Sequence, residues 1–521
     1  MSRKLVRSGL IVSAMTLISR VLGLVRDVVV ANLMGAGVSA DVFFFANKIP
    51  NFLRRLFAEG AFAQAFVPVL TEYQETKNKD EVRELLAKVA GTLGFLVTIV
   101  TVIGVVASPA LTALFGAGWF VAWLHGEADG AKFELASLML KITFPYLWFI
   151  TFTALAGAIL NTRGRFAVSA FTPVFLNVAI IAAAIYLSPQ LDHPEIGLAW
   201  GVFAGGVIQF LFQIPFLWRE RALVRPQWGW HHEGVVKIRK LMLPALFGVS
   251  VSQINLLLDT FIASFLVTGS ISWLYYSDRL LEFPLGLFGI AIATVILPAL
   301  SKRFVTADKQ DFNDTMDWGI RAVILLGLPA MAGLIVLAQP MLMVLFMRGE
   351  FGVSDVAHAG ASLVAYGSGL LSFMLIKVLA PGYYARQDTK TPVKYGIIAM
   401  VSNMVFNIIL AIPFGYVGLA IATSMSAALN AGMLYHGLHQ REVYRLSGKT
   451  LVFIAKVLLA AFAMVSLLIY LTPDVHQWAQ WHFAERAIHL LSLIGAGAAM
   501  YAVVLLITGI RPWQAKPVSK G

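Results

Sequence analysis

The sequence predicts an all-α polytopic membrane protein of fourteen transmembrane helices: two pseudo-repeated six-helix lobes plus two C-terminal helices. Three observations lead there: an apolar composition, a succession of apolar stretches about one bilayer long, and basic residues gathered on alternate connections. Of 521 residues, 59% are hydrophobic and 13% charged, and the mean hydropathy is +0.77. Soluble domains average ~45–50% apolar and ~25% charged, so a cytosolic enzyme, a disordered scaffold and a secreted disulfide module do not fit. The chain has no cysteine, which removes thiolate metal ligands and thiol nucleophiles as well. Forty Lys and Arg face 28 Asp and Glu, a net charge of +12. In so apolar a chain the excess reports membrane orientation, with an anionic ligand, rather than nucleic acid.

A transmembrane helix takes ~20 mainly apolar residues. Windows of that kind fall at 9–33, 39–73, 89–109, 133–159, 168–188, 196–217, 241–267, 271–299, 317–338, 358–384, 393–412, 415–436, 450–471 and 485–509. The first follows MSRKLVRSGL directly, carries arginines and lacks a small-residue cleavage site, so it reads as a retained span rather than a signal peptide. Pro50 and Gly60 interrupt the second, long span and predict a bend. Between spans six and seven lies the longest loop, 218–240, whose RPQWGWHHEGVVK stretch is amphipathic and suited to resting on lipid headgroups. GAGVSA at 35–40 joins two spans and reads as a tight turn rather than a dinucleotide loop; RGEFG, with Gly349, Phe351 and Gly352, reads as another turn, with gating as an alternative. HExxH, Walker and GxSxG signatures are absent, and the loops leave no room for a catalytic domain, so no enzymatic activity is expected.

With the N-terminus in the cytoplasm, 29 Lys and Arg fall on the cytoplasmic flanks and three, Lys132, Arg348 and Arg486, on the opposite ones. That asymmetry predicts both termini inside and an even number of spans. Displacement by roughly 230 residues brings RDVVVANLMG onto LDTFIASFLVTG, FVPVLTEY onto ILPALSKR, and GAILNTRGRFAVSA onto GYYARQDTKTPVKY, in the same order. The even number of intervening spans gives two halves of parallel topology. The expected organisation is an N-terminal lobe at 1–218, a C-terminal lobe with its preceding amphipathic loop at 219–440, and two additional helices at 441–521.

Eight cations lie inside the expected spans: Arg20, Arg26, Lys48, Arg54, Arg55, Lys141, Arg279 and Lys377. Asp27, Asp41, Glu59, Asp259, Asp278 and Glu282 accompany them. Each charge at mid-membrane costs ~2.5–3.5 kcal/mol even on the lenient insertion scale, so these side chains should face protein or water. Internal ion pairing, for instance Arg26 with Asp27 or Asp41, is one reading. The spacing offers another. Asn47, Asn51 and Arg54 form one stripe on span two; Ser272, Tyr275, Arg279 and Glu282 form one on span eight; Arg20, Gly23 and Asp27 share a face of span one, where Gly23 is a bending point. Arginine-bearing stripes from both lobes suit a central water-filled cavity, and the guanidinium fork matches phosphate oxygens at every relevant pH.

The stretches SRVLGLVRD, GAGVSADVFFFANKIPNFLRRLFAEGAFAQAFVPVL, GVSVSQINLLLDTFIASFL, SWLYYSDRLLEFPLG, KITFPY, IKVLAPG (where the family pattern is VKVLAPG) and YYARQDTKTPVK resemble the MurJ (MviN) family across essentially the whole chain. These are the bacterial lipid II flippases of the multidrug/oligosaccharidyl-lipid/polysaccharide exporter superfamily. The resemblance implies alternating access that carries the lipid-linked peptidoglycan precursor from the cytoplasmic to the periplasmic leaflet of the inner membrane, in support of cell wall biogenesis and cell shape. It implies substrate-binding roles for Arg20, Arg26, Asn51, Arg54, Ser272 and Arg279, with the arginines on the pyrophosphate, and gating or cavity roles for Asp41, Glu282 and Gly23. The two C-terminal helices would form a groove for the undecaprenyl tail. Lipid II and membrane lipids are the implied partners, with no nucleic acid and a functional monomer. Asp259, Asn403, Asn407 and Thr423 offer oxygen ligands for sodium as a coupling ion; interhelical hydrogen bonding is the alternative, and membrane potential is an equally open driver. A cation-coupled drug exporter and another lipid-linked oligosaccharide flippase are the competing functions, the first disfavoured by arginines where carboxylates and aromatics are wanted.

Overall fold

The computed structural model describes residues 3–56, 62–307 and 309–511. Glu59 and Gly60, and the flank residues Lys516 and Lys520, lie outside the described residues. The architecture is all-helical, with no strand among the described residues. By packing, the chain divides into two compact units, one of Met1–Ser272 with Arg348–Glu350 and one of Trp273–Met347 with Phe351–Gly521.

The first unit holds α1 (Arg3–Met34), α2 (Val38–Arg54), α3 (Phe62–Thr76), α4 (Lys79–Val106), α5 (Ser108–Phe115), α6 (Ala117–Leu124), α7 (Gly130–Thr143), α8 (Tyr146–Thr162), α9 (Phe166–Phe171), α10 (Pro173–Ala182), α11 (Pro194–Arg219) and α12 (Glu233–Ala263). The second holds α13 (Ser270–Pro284) from Trp273 onward, α14 (Ile290–Val305), α15 (Lys309–Val336), α16 (Ala338–Leu345), α17 (Val353–Gly367), α18 (Leu370–Tyr384), α19 (Lys390–Phe414), α20 (Tyr416–Gln440), α21 (Gly448–Leu471), α22 (Val475–Gln480) and α23 (Phe483–Ile507). Among the described residues ten helical stretches are long and apolar enough to cross a membrane, and they coincide with expected spans three to six and nine to fourteen. The expected lobes divide the chain by sequence similarity and the units divide it by packing; α12, placed in the C-terminal lobe by the first, packs in the first unit.

Local chemistry explains the helix ends. Asn78 caps α4 by accepting from the Glu81 amide at 2.9 Å, with Asp80 and Glu81 in the first turn where the dipole favours carboxylates. Ser447 caps α21 in the same way through Thr450 N–H at 3.2 Å. Pro50 lies inside α2, which stays helical through it to Arg54, and the helix loosens to π geometry at residues 55–56. Span eight follows suit: Pro284 closes α13 and the π segment Leu285–Gly289 leads into α14. A π turn after proline frees backbone groups inside a span, a device frequent at functional sites.

Two pairs of helix ends repeat between the halves. After α8, Arg165 N–H reaches back to Leu160 O at 2.9 Å and Gly164 N–H to Asn161 O at 3.1 Å; after α18, Asp388 N–H reaches Tyr383 O and Gln387 N–H reaches Tyr384 O, both at 3.0 Å. After α11, Ala222 bonds to Leu217 at 2.9 Å; after α20, Val443 bonds to Leu438 at 3.0 Å. Each is the six-to-one bond of a left-handed helix stop. The left-handed residue is Gly164 in one case and Gln387, Arg221 and Glu442 in the others.

The core of the first unit sits among α3, α4, α8, α11 and α12, where Phe66, Leu70, Leu85, Leu160 and Val235 are buried together. The 222–232 stretch is not helical. It lies against α4, with Gln227 N–H donating to Ala87 O at 2.9 Å. The approach is so close that a Cβ on Gly91 would stand 2.0 Å from Gln227 O. Arg348–Glu350 forms the expected turn against the end of α1: Glu350 N–H donates to Asn32 O at 3.1 Å, and Gly349 is in the left-handed region with a φ of 52°.

Candidate functional site

In the first unit, α1 brings Arg26 onto Asp27, at 3.0 Å between Nη2 and Oδ1, and onto Asn177 of α10, at 2.9 Å between Nη1 and Oδ1. Asn177 in turn donates to Ser19 O at 3.2 Å. Asp27 is buried. This network satisfies a guanidinium and a carboxylate that lipid would reject, and it pins α10 to α1. Arg26 therefore pairs with Asp27, one of the two alternatives the sequence left open.

Asp41 takes a different partner. Buried near the start of α2, its Oδ2 accepts from Gly269 N–H at 2.7 Å, and its Oδ1 accepts from Ser272 N–H at 3.0 Å and Ser272 Oγ at 2.6 Å. A carboxylate on the unpaired amides that open α13 is a helix cap. Ser272, fully buried, has its hydroxyl committed to that cap. Nearby, buried Lys132 donates to Thr268 Oγ1 at 2.6 Å and lies 3.3 Å from Asp129.

The remaining arginines are less enclosed. Arg20 is exposed, and among the described residues it makes no hydrogen bond or ion pair. It stands six residues, nearly two turns, before Arg26 on α1. Gly23, between them, is buried. On α2, Arg54 Nε donates to Asn51 Oδ1 at 3.2 Å, so the predicted stripe is one face. Both residues are half-buried. Arg55 reaches Gln253 of α12 at 3.4 Å. In the second unit, Arg279 Nη1 meets Glu282 Oε2 at 3.1 Å, with side chains 25% and 51% exposed. A partly exposed pair of this kind contributes little to stability.

The four suggested sodium ligands fall in different places: half-buried Asp259 on α12 in the first unit, and buried Asn403 and Asn407 on α19 with Thr423 on α20 in the second. Asn403 Oδ1 is buried without a hydrogen-bond partner. Thr423 Oγ1 donates to Leu419 O at 3.0 Å and keeps lone pairs to offer. Such oxygens fit a hard cation. Among the described residues no three His, Cys, Asp or Glu side chains converge as a metal-ligand set.

Two clusters of the second unit escaped the sequence reading. Asp317 of α15 accepts from Tyr444 Oη at 2.8 Å and from Thr450 Oγ1 at 2.6 Å, and Arg321 Nε lies 2.9 Å from its Oδ2. This ties α15 to the start of α21. Burial, reinforced by the bond to Asp317, pushes the Tyr444 phenol up. The i, i+4 spacing of Asp317 and Arg321 was the available signal; Tyr444 and Thr450 lie over 120 residues away. At the α18–α19 turn, the Thr391 hydroxyl, with the Arg441 guanidinium, holds the Asp388 carboxyl down at about 2. The corresponding distances are both 2.6 Å.

Helices that pass from proline into π geometry, with charged residues along them, fit a membrane transporter rather than a static bundle. The fold agrees: a multidrug transporter of the MATE family, in the MOP superfamily, solved in an inward-facing conformation, superposes with a TM-score of 0.68 at 15% identity over 83% of this chain and 98% of that one. A solved lipid II flippase MurJ in an inward closed conformation superposes with a TM-score of 0.80 at 27% identity over 96% and 98%. The family model described as lipid II flippase MurJ matches residues 30–488. The probable lipid II flippase MurJ of Vibrio cholerae is 69% identical over 510 residues, covering 98% of this chain and 97% of its own. The lipid II flippase MurJ of Burkholderia cenocepacia is 40% identical over 472 residues, covering 89% of each. The chain belongs to the MurJ family of lipid II flippases, multi-pass membrane proteins.

Proposed function

We propose that this protein moves lipid II, the undecaprenyl-pyrophosphate-linked disaccharide-pentapeptide, from the cytoplasmic to the periplasmic leaflet of the bacterial inner membrane by alternating access. The observation that carries the reading is family identity along the whole chain, at 69% to a relative of that name. It is a transport function: nothing in the substrate is transformed. Fourteen spans with both termini cytoplasmic complete the topology, the ten apolar stretches being joined by α1, α2 with α3, α12, and α13 with α14.

Arg20, Arg54 and Arg279 supply the cationic groups that meet the pyrophosphate, because charge-assisted guanidinium–phosphate bonds are strong and independent of pH. Asn51 orients Arg54, and Glu282 holds Arg279 until the substrate displaces it. Arg26, Asp41 and Ser272 act through the scaffold that positions these groups. The α21–α23 pair gives the undecaprenyl tail a surface within the lipid, and a monomer suffices. Sodium is the proposed coupling ion, with Asp259 in the first unit, and Asn403, Asn407 and Thr423 in the second, as candidate oxygen ligands; the orphaned Asn403 oxygen favours it.

The test is transfer of fluorescent lipid II across vesicles containing the purified protein, with and without a sodium gradient. Transfer of lipid II, and none of a cationic drug substrate, is the expected result. Drug export without lipid II transfer would overturn the reading, and sodium-independent transfer, unaltered in Asp259→Asn, would remove the ion.

A further inference from the structure

Apart from the arginines above, the first unit carries a half-open cavity of about 410 Å³ lined by α3, α4, α8 and α12 and by Trp230. Its walls are hydrocarbon: Val89, Leu93 and Val97 on one side, Ile238 and Met242 on the other. The hydroxyls that line it are already engaged, Thr92 Oγ1 accepting from Gly229 N–H at 3.0 Å and Thr151 Oγ1 donating to Leu147 O at 2.7 Å.

One end is chemically distinct. Arg239 stacks on Trp230, its Cζ 4.0 Å from the ring centroid, and Nη2 donates to Trp230 O at 2.9 Å. Its Nε is buried without a hydrogen-bond partner, and among the described residues the guanidinium has no carboxylate partner. A half-buried cation without a counter-ion is costly. Trp228, exposed, lies parallel to Trp230 with centroids 6.0 Å apart, and Lys240 is exposed beside Arg239. Tryptophan with Arg and Lys at one end and hydrocarbon along the rest is the pattern of a bilayer interface. The lining on α4 runs from Val89 to Val100, a rise of ~16 Å, about half of a ~30 Å hydrocarbon core. That is the depth of one leaflet.

We propose that this cavity holds an acyl chain of an anionic glycerophospholipid whose phosphate is bound by Arg239. The site rests on the chain spanning a bilayer with this end at the headgroups; it does not depend on the identity of the transported substrate. The lipid would supply the missing counter-ion and wedge the 222–232 segment, α4 and α12 together.

The experiment places the full-length protein in phosphatidylcholine nanodiscs doped with phosphatidylglycerol that carries a mid-chain diazirine, and maps the photolabel by peptide mass spectrometry. Label should concentrate on 89–100 and 235–246. It should fall about fivefold in Arg239→Gln, the effect of one basic side chain at an anionic surface, survive in Arg239→Lys, and vanish in Leu93→Trp, which fills the cavity. Unlabelled phosphatidylglycerol should compete and undecaprenyl phosphate should not. Labelling of these segments no stronger than that of α23, or unchanged in Arg239→Gln and Leu93→Trp, would overturn the proposal. So would preferential displacement by undecaprenyl phosphate, which would make the cavity a site for the substrate's tail. If Arg239→Gln does not fold, Leu93→Trp alone decides.

Discussion

Among the described residues ten helical stretches have the composition of the lipid interior, whereas α1 and α2, and α12 and α13, hold most of the charge inside the expected spans. Lys141 and Lys377, both exposed, are the cations that fall elsewhere. At ~2.5–3.5 kcal/mol per charge, so uneven a distribution needs a compensating return, and the charged helices provide two. Half-buried Arg26 and buried Asp41 are bonded to other helices, Arg26 to Asn177 of α10 and Asp41 to the amides that open α13. Arg20 is exposed, and Arg54 and Arg279 are each bonded to a neighbour on their own helix. The difference teaches that an intramembrane charge is not by itself a binding residue; what it is bonded to assigns its role.

Substitution tests that division. The largest effect falls on function: Arg20→Ala, Arg54→Ala and Arg279→Ala should each fail to support growth of cells depleted of their own flippase, at normal membrane abundance on immunoblots. Next comes Asp41→Ala, which strands three buried donors and should cost about 3 kcal/mol of stability, read as a lower melting temperature in detergent; Asp41→Asn should recover roughly half. Asp317→Ala should cost about 2 kcal/mol, less because Arg321 keeps solvent access, and should loosen α21 in hydrogen exchange. Acid gives a local effect. The Asp388 carboxyl is held below its ordinary value, so its contribution is complete above about pH 4 and is lost as pH falls through about 2. Hydrogen exchange at the α18–α19 turn should rise over that interval and be insensitive to it in Asp388→Asn. Smallest is Glu442→Gly, which relieves a left-handed non-glycine residue and should raise stability by up to ~1 kcal/mol in thermal melts.

Much of the fold was legible because hydropathy and charge report the bilayer directly. The turns around Gly35 and Gly349 followed from residue type, and the ten apolar stretches among the described residues from window composition. Adjacent or one-turn partners were legible too: Arg26 with Asp27, Arg54 with Asn51, Arg279 with Glu282. Partners set by tertiary packing were not. Asp41 and Ser272 stand 231 residues apart, and no periodicity links a carboxylate in one helix to the first amides of another. The 222–232 segment reads as amphipathic from its tryptophans and histidines, but Gly91 lets it lie against α4 as irregular chain, and Arg239 then covers Trp230.

The division between scaffold charges and substrate charges is tested most directly by measuring lipid II transfer and melting temperature on the same reconstituted variants. Arg20→Gln and Arg279→Gln should lose transfer and keep the wild-type melting temperature, while Asp41→Asn should melt earlier and still transfer lipid II below its transition. Wild-type transfer by Arg279→Gln, or loss of transfer by Asp41→Asn while it remains folded, would contradict the account.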